Sequence, residues 1–190
     1  MIRPLGACSH SSDTLLVALF LVVSLARAAA AQPPSAVELS GAYSFLHDPR
    51  DDANLPAGWM AGATAPVSPW LSIAGEVGGN RRTVSGYGSD FRLSVLAAMA
   101  GPRASVRIGQ FTEFVQVLAG VVYGSGSGFG VTTANTAFGV QPGIGLDYPL
   151  TSRLAGRVQV DVRVIRGRSN GASPGDQIRA LTGLVYRFRR

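Results

Sequence analysis

The sequence predicts an all-β chain in which eight antiparallel strands close into an up-and-down barrel spanning a membrane. Three observations predict it. Apolar and polar residues alternate with period two through most of the chain after residue 36. The connections between the alternating runs are short and long in turn. The runs are close to the roughly 9–11 residues that a tilted strand needs to cross a hydrocarbon layer.

The first segment is not a strand. Arg3 supplies a positive start, Leu15 to Ala26 is an apolar stretch, and Ala28–Ala31 offers small residues for a peptidase. The apolar stretch is too short for a membrane-spanning helix and is ended by Arg27. Residues 1–31 therefore read as a cleaved export signal, with Gln32 as the mature start. Removing them takes Arg3, Arg27 and Asp13 from 17 basic and 11 acidic residues, leaving 15 and 10, a net charge of +5. All the basic residues are arginine, and they are dispersed. Nucleic-acid binding needs a clustered basic patch, so that class is excluded. Cys8 leaves with the signal, so the mature chain has no disulfide framework. Leu5-Gly6-Ala7-Cys8 resembles a lipoprotein processing box but precedes the apolar stretch instead of following it.

The eight runs fall at about 36–46, 57–66, 70–79, 90–101, 111–123, 136–148, 153–165 and 177–188. In the first, Val37, Leu39, Tyr43 and Phe45 oppose Glu38, Ser40, Ala42 and Ser44. In the third, Leu71, Ile73 and Val77 oppose Ser72, Ala74 and Glu76. In the sixth, Phe138, Val140, Ile144 and Leu146 oppose Gly139, Gln141, Gly143 and Asp147. The seventh is the clearest: Val158, Val160, Val162 and Val164 lie on one face, and Arg157, Gln159, Asp161 and Arg163 on the other. As a helix it would have no apolar stripe. Short turns are expected around Val67-Ser68-Pro69, around Arg107–Gly109 and at Pro149–Ser152. Long loops are expected at His47–Pro56, Asn80–Ser89, Gly124–Asn135 and Arg166–Asp176. Short turns belong on the periplasmic side of such a barrel and long loops outside.

Alternation alone leaves open which face points inward, since a soluble lipocalin-like barrel would bury the valines. Small polar-face residues (Ser40, Ala42, Ser44, Ser72, Ala74, Ala98, Gly139 and Gly143) suit the narrow interior of eight strands. Charged residues make up only 15% of the chain, against roughly 25–35% on a soluble surface. Aromatics gather near strand ends, as interfacial girdles require: Tyr43, Phe45, Trp59, Trp70, Phe111, Tyr123, Tyr148, Tyr186 and Phe188. The polar face is therefore expected inside. It would hold Glu38, Glu76, Asp147 and Asp161 with Arg92, Arg157, Arg163 and Arg179, joined by Gln116, Gln141 and Gln159. Unpaired charges away from water are expensive, so these should pair and plug the barrel.

Chemistry-bearing motifs are sparse. His47 stands beside Asp48, Asp51 and Asp52 in an expected loop; the group offers at most weak cation binding. No nucleophile–base pair adjoins it, so no enzyme activity is expected. Gly124-Ser125-Gly126-Ser127-Gly128 does not open a helix and is no phosphate cradle.

The C-terminal run Leu181-Thr182-Gly183-Leu184-Val185-Tyr186-Arg187-Phe188 resembles the outer-membrane β-signal in Gly183, Tyr186 and Phe188. It departs at Leu181, where a polar residue is usual, and in the two arginines after Phe188. With the export signal and loop alternation, the chain resembles the eight-stranded outer-membrane barrels that include the OmpA transmembrane domain and OmpX. Gly101-Pro102-Arg103 and Phe114–Gly120 resemble the fourth and fifth strands of small bacterial barrels. The resemblance implies a monomer in the bacterial outer membrane, in contact with lipid and lipopolysaccharide and inserted by the barrel-assembly machinery. It implies no cofactor or metal. It also implies a structural or surface-interaction role through the loops, with a narrow pore as the alternative.

Overall fold

The computed structural model describes residues 36–49, 53–86, 89–128, 131–166 and 177–188. The expected export signal, Asp51, Asp52 and most of the fourth expected loop lie outside the described residues. Nine strands follow in chain order: β1 (Val37–Asp48), β2 (Ala53–Leu55), β3 (Ala57–Pro66), β4 (Leu71–Gly86), β5 (Ser89–Ile108), β6 (Phe111–Gly128), β7 (Val131–Pro149), β8 (Leu154–Arg166) and β9 (Gln177–Phe188). The wall is antiparallel throughout, and β9 returns to pair with β1. β2 and β3 both pair with β1 and form one barrel strand broken at Pro56, which makes the closed barrel eight-stranded.

The break has a local cause. The register runs Tyr43↔Trp59 below it and Leu46↔Leu55 above it, so the β2–β3 side carries one extra residue, a bulge. Pro56 has no N–H to give to the ladder. The backbone oxygens of Ser44 and Leu55 accept instead from the buried Asn80 amide at 2.9 and 3.1 Å, and the Tyr43 hydroxyl donates to the Pro56 oxygen.

Followed from partner to partner, and extended across the prolines, the register leaves β1 at Val37. It passes Ala65, Ile73, Pro102, Val117, Pro142, Val162 and Ile178 and returns to β1 at His47. This stagger tilts the strands against the barrel axis.

The turns match expectation at 66–71, 108–111 and 149–154. Val67 and Ser68 both donate to the Leu71 oxygen, Leu150 and Thr151 to the Leu154 oxygen, and Gly109 takes the positive φ that its turn needs. Three of the expected long loops are corrected. In the first, His47, Asp48 and Ala53–Leu55 are strand. The β4–β5 ladder continues to Gly86↔Ser89 and the β6–β7 ladder to Gly128↔Val131, so 80–86 and 124–128 are strand. Their Gly, Ser and Thr residues have the composition of a loop. Each ladder is already formed in the membrane below, and extending a formed hairpin costs less than starting one. The result is a tall wall of β4–β7 beside a lower wall of β8, β9, β1 and β3.

The apolar faces of β1, β3, β4 and β6–β9 point outward. Val37, Leu39, Ile73, Val117, Ile144, Val158, Val160, Val162 and Leu184 are all exposed, while Glu38, Ser72, Gln116, Arg157, Gln159, Asp161 and Arg163 on the opposite face are buried. A large apolar surface turned outward over a polar interior is the inverse of a soluble barrel, and it is what a lipid-facing barrel requires.

Candidate functional site: the barrel lumen

Eight acidic and basic side chains fill the lower and middle lumen. Glu38, Glu76, Asp147 and Asp161 face Arg103, Arg157, Arg163 and Arg179, and all are buried. The set is charge-neutral. Alternation places it: each residue is the inward partner of an outward apolar neighbour on the same strand.

Near the turn end, Arg157 grips Asp147 through two parallel bonds, Nε to Oδ1 at 2.7 Å and Nη2 to Oδ2 at 2.8 Å, and reaches Glu38 at 3.4 Å. Arg187, half-buried at the rim, closes the square with Glu38 at 2.8 Å and Asp147 at 3.2 Å. Bidentate carboxylate pairs of this kind are the stronger and more directional ones. Phe114 lies between two guanidinium groups, with Arg103 at 4.3 Å and Arg157 at 4.6 Å from its ring centre. The ring face is negative, so one phenyl group serves both cations.

Glu76 is the centre of the middle layer. It takes Arg179 at 2.5 Å, Arg103 at 3.5 Å, and the amides of Gln116 and Gln159 at 3.0 Å each. Arg179 also holds Asp161 at 2.7 Å. Above them Arg163 donates to the oxygens of Gln141 at 3.0 Å and Gln177 at 3.4 Å. The geometry depends on missing side chains at two places. A Cβ at Gly143 would overlap the Asp161 carboxylate, and one at Gly145 would overlap the Phe114 ring. Two buried atoms, Arg157 Nη1 and Gln159 Oε1, have no partner among the described residues.

Beside the lattice the lumen changes character. Ala74, Met99, Leu118, Val122 and Ile165 form an apolar cluster, with Val95, Ala97 and Ala137 packed on it.

The structure places Glu38, Glu76, Gln116, Gln141, Asp147, Arg157, Gln159, Asp161, Arg163 and Arg179 together in this lumen. Arg92 is the correction. It is exposed near the top of β5, opposite Thr83 and Ser127, and takes no part in the network. Ala98, expected inside, is exposed for the same reason. The run Ala97-Ala98-Met99-Ala100 carries no alternation to set its phase. Pairing sets it instead: Met99 opposes inward Glu76, and Ala98 opposes outward Val77. The inward cation of β5 is Arg103, at even spacing from Met99, a residue that the sequence pattern assigns to no site. Its signal is an arginine that follows the apolar middle of the strand, hidden beside Pro102. Arg187, Thr64, Gln177 and Phe114 are likewise unassigned by the pattern. Gly183 packs against the Gly41 and Ala42 backbone at the β9–β1 seam. Tyr186 and Phe188 meet edge to face at 4.9 Å, and both are exposed on the outer surface.

His47 bonds Asn54 at 2.9 Å. Among the described residues no three His, Cys, Asp or Glu side chains gather as metal ligands.

Comparison with known proteins places this architecture. Neisserial surface protein A is 15% identical, with 80% of this chain and 96% of that one covered and a TM-score of 0.62. Ail of Yersinia pestis, whose structure was determined in complex with the heparin analogue sucrose octasulfate, is 17% identical, with 80% and 97% covered and a TM-score of 0.56. The N-terminal barrel of Pseudomonas aeruginosa OprF is 13% identical, with 81% and 98% covered and a TM-score of 0.51. These likenesses are likenesses of fold. The comparison with curated proteins finds no match. The sequence profile of the outer membrane protein beta-barrel domain matches residues 15–188, so this chain belongs to that family and resides in the bacterial outer membrane.

Proposed function

We propose that the protein is a closed, monomeric, non-enzymatic outer-membrane scaffold, whose work is surface interaction through its outer rim rather than conduction or chemistry. One observation carries the reading: the lumen is filled by a neutral set of buried arginines and carboxylates, with an apolar cluster packed beside it. An ion crossing it would have to break buried charge pairs or pass along a dry apolar face, and both are costly. A rigid barrel carrying exposed connections is also the arrangement in which binding residues usually sit on the connections. The partners that fit are outer-membrane lipid and lipopolysaccharide around the wall. The barrel-assembly machinery would read the C-terminal strand through Gly183, Tyr186 and Phe188.

Reconstitution of the folded protein in planar bilayers tests the reading. The expected record is flat or shows only brief, small events. Large, stable single-channel steps would establish the narrow-pore alternative instead.

A further inference from the structure

The register places a group of polar residues on the outer wall that the lumen does not use. Outward positions are odd on β4 and β6 and even on β5, as the exposure of Val77, Leu96 and Val121 shows. On that face Trp59 stands opposite Gly79, Gly79 opposite Leu96, and Leu96 opposite Tyr123. Trp59, Leu96 and Tyr123 are exposed and form the last apolar row on this side. Beyond that row the outward residues change together. Arg81 faces Ser94, which faces Ser125; Thr83 faces Arg92, which faces Ser127. Arg81 and Arg92 are exposed, and among the described residues no carboxylate lies within ion-pair distance of either. They occupy diagonal positions on neighbouring strands, roughly 7–8 Å apart at the backbone, close enough for two long side chains to meet on one anion.

We infer that this patch, Arg81 and Arg92 with the hydroxyls of Thr83, Ser94, Ser125 and Ser127, docks the phosphorylated sugar headgroup of an outer-leaflet glycolipid. Position selects the lipid over a soluble partner. A strand rises about 3.3 Å per residue and tilts about 40°, so Arg81 stands ~5 Å and Arg92 ~10 Å beyond the last apolar row. The headgroup layer on each side of the hydrocarbon is about 5–7 Å deep, so Arg81 stands within it and Arg92 a few ångströms beyond, where a long side chain still reaches back to it. The side chains leave the wall sideways, into that layer, instead of upward from the hairpin tips. Chemistry selects the headgroup. Two guanidinium groups with no ion-pair partner among the described residues match phosphate oxygens by charge and by fork geometry. Four hydroxyls around them both donate and accept, as sugar hydroxyls require.

The test uses the folded full-length barrel in nanodiscs of phosphatidylcholine doped with bis-phosphorylated lipid A or with its dephosphorylated form. Lipid A retained per barrel after exchange into undoped discs is measured. The wild type should retain the phosphorylated lipid several-fold better than the dephosphorylated one. R81S/R92S should lose that preference. R107S/R153S, which removes two exposed arginines at the opposite rim, should keep it. Heat-modifiable gel migration checks that every variant is folded. Equal retention of both lipids by the wild type, an unchanged preference in R81S/R92S, or an equal loss in R107S/R153S overturns the proposal. So does displacement of the retained lipid by soluble inositol hexakisphosphate, which would make the occupant a free polyanion. Conduction is not the readout, so the closed-scaffold reading can fail without touching this one.

Discussion

Two patches of one lumen are filled by opposite chemistries. Around Glu76, Asp147 and Asp161 the inward side chains are a lattice of arginines, carboxylates and amides; around Leu118 and Val122 they are hydrocarbon. Both patches exclude water, but they fail differently. Removing one partner from the lattice leaves a charge with no solvent to take it. Removing a side chain from the apolar cluster leaves a cavity, whose cost depends on how far the neighbours relax. The lattice therefore specifies geometry tightly, while the cluster seals with more tolerance.

The largest expected effect is in the lattice. Arg179→Ala should cost about 3–5 kcal/mol, because Asp161 has no other ion-pair partner among the described residues. Urea-induced unfolding in lipid vesicles measures it, and a loss under about 1 kcal/mol would mean the lattice is not holding that charge. Leu118→Ala should cost about 2–5 kcal/mol in the same assay, with no change in conduction, since the charged lattice beside it stays shut. A conducting variant would show that the apolar patch is needed to close the barrel. On the outer wall, Val160→Arg should cost about 2–4 kcal/mol at mid-membrane, and Gln159→Arg less if the interior accommodates it. Equal costs would contradict the inward and outward assignment. Arg163→Ala should cost about 1–3 kcal/mol, since it donates to two neutral amide oxygens. Arg92→Ala, exposed and outside the lattice, should stay within about 0.5 kcal/mol. The gap between Arg92 and Arg179 is the sharpest single check on which arginines are inside.

Legibility in the sequence varies along the chain. In β8 polar and valine residues alternate from Arg157 to Val164, so its faces and, to within a residue, its limits are readable from the residues alone. In β5 the alanine run erases the period, and Pro102 truncates the expected strand at 101, seven residues short of Ile108. Together these two features misplace one cation: the pattern puts Arg92 inside and passes over Arg103. Phase in such a strand is set by the strands on either side, which is tertiary information. The extended hairpins are hidden for a related reason. Gly124–Gly128 has the composition of a loop, and only its pairing with β7 makes it a strand. The network as a class is legible because eight strands leave no room for unmatched charge. Its bonding pattern is not, because partners such as Glu76 and Arg179 are 103 residues apart.

The seam between β9 and β1 bears on how the molecule reaches this state. Arg187 and Glu38, 149 residues apart in sequence, meet across the turn-end rim, and Arg157 reaches Glu38 over 119. Neither contact can exist until the two ends of the chain have come together. A sheet still open along that line would present bare backbone and half-matched charges to hydrocarbon, so a partly zipped intermediate has little to gain from entering the bilayer ahead of closure. Contacts of such long range also make assembly slow. The last hydrogen-bonded seam thus acts as a checkpoint: insertion and internal charge matching are completed in the same event.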